Sequence, residues 1–352
     1  MSLPTQRPPT PLAPWLGVCA AIVILAALYL WRSLFAPVFI AIFIVAAVWP
    51  LQRVLERHVP RVVAMLLTVL ATAAMVVAMA SLVLWGLNRA AQWAIANIAG
   101  FQAHYQRMDA WLEGHGLYLA SEFIHNFDPR WLLGAVQRLG MGLQQVASFL
   151  VIALVFVVLG LLEVDATRGK LARAGKSHLV DACRATGAKF QRYMAIRGVM
   201  SAATGLGVWA VTYALGVDLA LEWGVIAFAL NFIPFIGPLF ATVLPTLFAT
   251  VQFDSAAVPL LIFVGLNLVQ FLIGSYLEPR IAGNRLSISP FLVLLAVFLW
   301  SMLWGIAGAF IGVPILIALI TFAEHHPATR GWASLLAGEA ATQVPDAGDG
   351  SP

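Results

Sequence analysis

The chain has 352 residues, of which only 10% are charged and 61% hydrophobic, with a mean hydropathy of +0.90. Water-soluble domains carry about 25% charged residues, so this chain has too few to cover a water-facing surface of ordinary size. Its net charge of +4 reads as basic residues retained on one side of a bilayer, and no nucleic-acid partner is expected.

Eight stretches of 20 or more residues hold no Asp, Glu, Lys or Arg: 8–31, 33–52, 62–88, 139–162, 198–217, 223–253, 255–277 and 286–323. A hydrocarbon core about 30 Å thick needs about 20 apolar residues at ~1.5 Å rise each. Without water there, backbone groups must bond within each segment, which selects helices. The expected fold is therefore all-α: a polytopic helical membrane protein with about eight spans, embedded in a lipid bilayer.

In chain order, residues 1–14 read as an N-terminal tail, and 15–87 as three transmembrane helices. Residues 88–143 read as an external insert rich in aromatics, among them Trp93, Phe101, Tyr105 and Trp111. A fourth span follows at 144–162. Residues 163–197 form a basic amphipathic segment in which Leu171, Leu179, Cys183, Phe190 and Met194 alternate with eight Lys or Arg, suited to anionic headgroups. Residues 324–352 are a C-terminal tail. With the N-terminus inside, the inner segments hold fifteen Lys/Arg and the outer ones five, beside seven acids. That bias places both termini in the cytoplasm.

Two sharper motifs are set aside. Gly175-Lys176-Ser177 lacks the glycine five residues earlier that a P-loop needs, Lys170 standing there. His104, His115 and His125 are spaced by eleven and ten residues, which does not gather ligands on one helix face. No metal, cofactor or disulfide is expected. Neither HExxH nor GxSxG nor a pair of intramembrane aspartates is present, so an enzyme is not expected either.

Residues 198–323 carry the chemistry. The charge-free run 223–253 is too long for one ordinary helix and short for two. It is interrupted by Asn231-Phe-Ile-Pro234-Phe-Ile-Gly237-Pro238, where prolines remove backbone donors and push the preceding residues out of helix. The run 286–323 is interrupted by Gly305, Gly308, Gly312 and Pro314. Both are expected to be broken or re-entrant helical hairpins. Paired Gly/Pro interruptions mark solute sites in transporters, whereas Gly308 and Gly312 also have the spacing of close helix packing. Asn267 and Gln270 share one face of the 255–277 span, as solute contacts or as interhelical hydrogen bonds. Glu222, Glu278, Arg280 and Arg285 at span edges are gating or coupling candidates, with Glu278 and Arg280 also readable as a plain edge pair.

The run Asn231 to Pro238, then Tyr276-Leu-Glu-Pro-Arg-Ile-Ala-Gly283, Leu286-Ser-Ile-Ser-Pro290 and Trp300-Ser-Met-Leu-Trp-Gly-Ile-Ala-Gly308 through Pro314, resembles the autoinducer-2 exporter family. The Glu-Pro-Arg and Phe-Leu-Trp versions look like its quorum-signal transport branch. Many relatives carry a glutamate where this chain has Ile273, so the resemblance carries no ion-coupling role over to that position. The resemblance implies about eight spans, a bacterial inner membrane and export of small molecules. With no ATPase motif in the sequence, the expected activity is non-ATP-driven export of a small polar metabolite or signalling molecule. A small-molecule solute is the expected partner, with a proton or sodium ion as candidate coupling ion and a homo-oligomer left open. Two alternatives stand beside it. One is a monovalent cation/proton antiporter, and the other a non-transporting scaffold or channel.

Overall fold

The computed structural model describes residues 12–116, 131–174, 177–282, 289–325 and 329. Among them the only regular elements are helical. These are α1 (Leu12–Leu30), α2 (Arg32–Leu55), α3 (Arg61–Ala96), α4 (Ile98–Gly114), α5 (Trp131–Arg173), α6 (Ser177–Ala214), α7 (Ala220–Leu230), α8 (Ile236–Gln252), α9 (Ala257–Phe271), α10 (Glu278–Ala282) and α11 (Pro290–His325). A π-helical stretch, Leu272–Leu277, joins α9 to α10. Six helices are long and apolar enough to cross a bilayer: Arg32–Leu55, Arg61–Ala96, Ser148–Leu171, Leu179–Ala214, Ala257–Ile281 and Pro290–His325. The polytopic helical membrane fold is thus present.

The last of these six does not cross as one rod. Gly305 has φ 63° and ψ −140°, outside any helix. Beyond it, Gly312 lies so near Ala296 that a β-carbon would stand 2.9 Å from the Ala296 carbonyl oxygen. In a continuous helix those residues would be about 24 Å apart. The chain turns back at Gly305, and the arms 290–304 and 306–325 pack antiparallel. Pro314 lies inside the returning arm, not at the turn.

The first interruption behaves likewise. α7 has 11 residues and α8 has 17, so α7 reaches only about half the bilayer at ~1.5 Å per residue. Pro234 and Gly237 are buried in the reversal, Gly237 against the Leu230 carbonyl. Further from the turn, the Trp223 and Phe248 rings meet edge to face at 5.1 Å. Phe235 has φ 62° and ψ −51°, and the Ile236 amide donates to the Pro234 carbonyl at 2.7 Å. This is a γ-turn of the rare positive-φ kind, which is strained for a side chain bearing a β-carbon.

The two hairpins enter from opposite ends of α6. In the first half of α6, Lys189 Nζ meets Glu324 Oε2 at 2.7 Å, at the base of the second hairpin. The end of α6 turns through Gly216 and Leu219, both with positive φ, into the base of the first. Close approach depends on small residues, as expected where lipid gives helices no hydrophobic drive to associate. A β-carbon on Gly205 would lie 2.8 Å from the Gly224 carbonyl of α7, and one on Gly207 would lie 2.6 Å from Val269 of α9.

Two long helices run past the charges that bound the apolar stretches. α3 continues through Arg89 to Ala96, and α6 through Arg197. The basic segment 163–197 is therefore the end of α5 and the first half of α6 rather than a separate surface helix. Each arginine is absorbed by a carboxylate from another helix. Arg89 Nε donates to Glu222 Oε1 at 3.1 Å, and Arg197 Nη2 lies 3.5 Å from Glu278 Oε1.

Candidate functional site

The hairpins meet where the first one turns. Ile233 is buried with Val297, Ala309, Val313 and Ile317 of the second hairpin, and Tyr193 of α6 packs against the same group. Phe232 faces Phe310 with ring centroids 5.7 Å apart. Two interruptions separated by some 70 residues of sequence thus form one junction, beside a point near the middle of α6.

Asn231 ends α7 there. It is 4% exposed, and its Nδ2 donates to Ser201 Oγ of α6 at 3.3 Å. Ser201 itself is fully buried. Most threonine hydroxyls in these helices satisfy themselves on the preceding turn: Thr68 on Ala64, Thr212 on Val208, Thr242 on Pro238 and Thr246 on Thr242. Thr204 is fully buried, yet its hydroxyl makes no such bond.

The polar residues therefore follow α6. Tyr193, Arg197, Ser201 and Thr204 recur every three or four positions, which puts them on one face of the helix. α9 and its continuation run antiparallel alongside, with Val269 against Gly207, Gly265 against Val211 and Glu278 against Arg197. In this register the π-helical stretch 272–277 lies opposite 198–203. A π segment interrupts the regular backbone ladder and is frequent at functional sites.

The sequence candidates distribute unevenly over this arrangement. Asn231, Pro234 and Gly237 sit at the first turn, with Pro238 opening α8. Gly308 and Gly312 are packing contacts between the arms of the second hairpin. Gln270 is half-buried and its Nε2 has no partner. Asn267 is exposed and donates only to Phe263 of its own helix at 2.8 Å, so the two amides do not converge. Glu222 is buried near the base of the first hairpin, away from its turn. Glu278 pairs with Arg197, whereas Arg280 lies over the Tyr276 ring at 4.2 Å. The Glu278–Arg280 edge pair is therefore replaced by one between helices. Arg285 and His125 lie outside the described residues. No group of three metal-ligating side chains occurs among the described residues.

Arg197, Tyr193, Ser201 and Thr204 did not stand out as site residues in the sequence. The available signal was their common face on a helix that was expected to begin at 198.

Two opposed helical hairpins meeting inside a bundle are an architecture found in membrane transport proteins, and the relatives of this chain are transport proteins. The family model for "AI-2E family transporter" matches residues 18–328, and the chain belongs to this family. It is 29% identical over 320 residues to "AI-2 transport protein TqsA" of Escherichia coli (strain K12), covering 90% of this chain and 92% of the relative. A putative transport protein of Haemophilus influenzae is 26% identical, covering 91% of this chain and 95% of the relative. A putative transport protein of Borreliella burgdorferi is 31% identical over 54% of each chain.

Proposed function

We propose that the chain exports a small polar solute across the bacterial inner membrane by alternating access, without ATP, both termini being cytoplasmic. The observation that carries this reading is the junction of Phe232 and Ile233 with Val297, Phe310 and Val313. Two hairpins entering from opposite ends close on each other there, so either can open the junction toward its own side. Irregular backbone at membrane depth is tolerated where it is packed in protein or lines a cavity, and the turn 231–238 is so packed. Asn231 beside Ser201 offers the polar contact, with Gln270 further along α9. The TqsA relative is named for AI-2 transport, and a small signalling molecule of that kind suits the reading.

The test is uptake into proteoliposomes holding the full chain, with and without a proton or sodium gradient. Saturable flux that falls tenfold or more in Asn231→Ala with Gln270→Ala, at unchanged membrane insertion, is the expected result. Flux indifferent to these changes contradicts the reading.

A second reading, monovalent cation/proton antiport, is favoured by one observation: Glu222 is a buried carboxylate. It predicts sodium or proton exchange that disappears in Glu222→Gln.

A further inference from the structure

We propose that Arg197 is the anchor for a negatively charged solute, and that Glu278 holds the anchor as an internal anion until the solute displaces it. The inference rests on the transport reading and adds a solute class to it.

An arginine inside a membrane bundle is costly and needs compensation. Arg197 has half of the compensation it can take. Its side chain is 15% exposed, Nη2 is 3.5 Å from Glu278 Oε1, and Nε is buried without a partner. Guanidinium commonly takes a carboxylate two-pronged through adjacent nitrogens, whereas Glu278 reaches it by one long contact and is itself 32% exposed. The unused capacity nearby can donate as well. Arg197 Nε can only donate. The Tyr193 hydroxyl is buried against Arg197, its ring 5.7 Å from the guanidinium carbon, and its O–H can still donate to an anion. Thr204 offers a further free hydroxyl on the same face. A cation would meet Arg197 unfavourably, while a carboxylate or phosphate oxygen fits every one of these groups.

Position links the anchor to the junction. Tyr193 packs against the cluster formed by Ile233 and Val297, and Ser201, one turn beyond Arg197, holds Asn231. An anion on Arg197 would therefore sit between the two α6 residues that contact the junction. The adjoining stretch 272–277 is π-helical, a local form that can return to a regular helix when Glu278 lets go.

The experiment uses the full chain in proteoliposomes, with labelled lactate, succinate, inorganic phosphate and neutral glycerol. Saturable flux of an anion is expected. It should drop at least tenfold in Arg197→Gln and largely persist in Arg197→Lys. In Glu278→Gln, which removes the competing internal anion, the KM for the carried anion should fall severalfold. If Arg197→Gln does not insert, the KM in Glu278→Gln decides alone, and an unchanged or higher value overturns the inference. Saturable glycerol flux within twofold of wild type in Arg197→Gln, with no anion carried, removes the anionic class while leaving transport in place. No saturable flux of any solute removes the transport reading, and this inference with it.

Discussion

Gly308 packs its α-carbon against the backbone carbonyl of Trp300, where a β-carbon would collide with the oxygen. The contact exists because the chain reverses at Gly305, and it fixes how closely the two arms of the second hairpin approach. The obstacle is backbone rather than a flexible side chain. Gly308→Ala should therefore destabilise the protein by at least about 3 kcal/mol. Gly305→Ala should cost about 1–3 kcal/mol through its backbone conformation alone, since nothing surrounds it within 4 Å. Gly17→Ala, also in open space within a helix, should be neutral or slightly stabilising. Thermal unfolding of the detergent-solubilised variants gives the order.

The γ-turn at Phe235 predicts the opposite sign. Its φ of 62° stores about 1–3 kcal/mol in a residue with a β-carbon. Phe235→Gly removes that strain at a chain-entropy cost of about 0.5–1 kcal/mol. The Phe235 ring is 50% exposed, so little packing is lost. A rise in the unfolding midpoint is expected, and a fall would show that the turn relaxes without a glycine.

The Arg89–Glu222 pair predicts non-additive behaviour. Glu222 has 7% of its side chain exposed, while Arg89 is half exposed. Arg89→Ala leaves a buried carboxylate unpaired, at about 2 kcal/mol. Glu222→Gln made in addition should recover most of the loss. A double-mutant cycle on the unfolding midpoint checks it.

His104 on α4 gives a pH dependence. Partial burial, and then Arg107, hold its pKa below the ordinary 6.5. The unfolded state therefore takes up a proton more readily than the folded one. Stability from this group is complete above about pH 6.5 and declines as pH falls below it. The protection factors of the α4 amides against hydrogen exchange should fall between pH 7.5 and 5.5, and His104→Gln should flatten that response.

Much of this fold was legible because lipid leaves few choices. The charge-free runs located the spans, and Pro234, Gly237 and Pro238 located the first turn from steric rules alone. The second turn was legible only as a region. Gly305, Gly308, Gly312 and Pro314 look alike in sequence, yet Gly305 makes the reversal, Gly308 and Gly312 pack, and Pro314 sits within a helix. What separates them is the partner arm, which a linear reading does not contain. The lengths of α3 and α6 escaped for a related reason. Arg89 and Arg197 ended the apolar runs, but Glu222 and Glu278 neutralise them inside the bundle. The polar face of α6 was hidden with them.

The central claim is that the turn of the first hairpin and the arms of the second form one junction through which solute must pass. The most direct measurement is cross-linking of Phe232→Cys with Phe310→Cys in the full chain, with Cys19 and Cys183 replaced by serine. The pair should cross-link in membranes with a short bis-methanethiosulfonate, which joins the thiols through two disulfides; saturable flux should stop, and reduction of the disulfides should restore it. Failure to cross-link, or a link that leaves flux unchanged, would contradict the account.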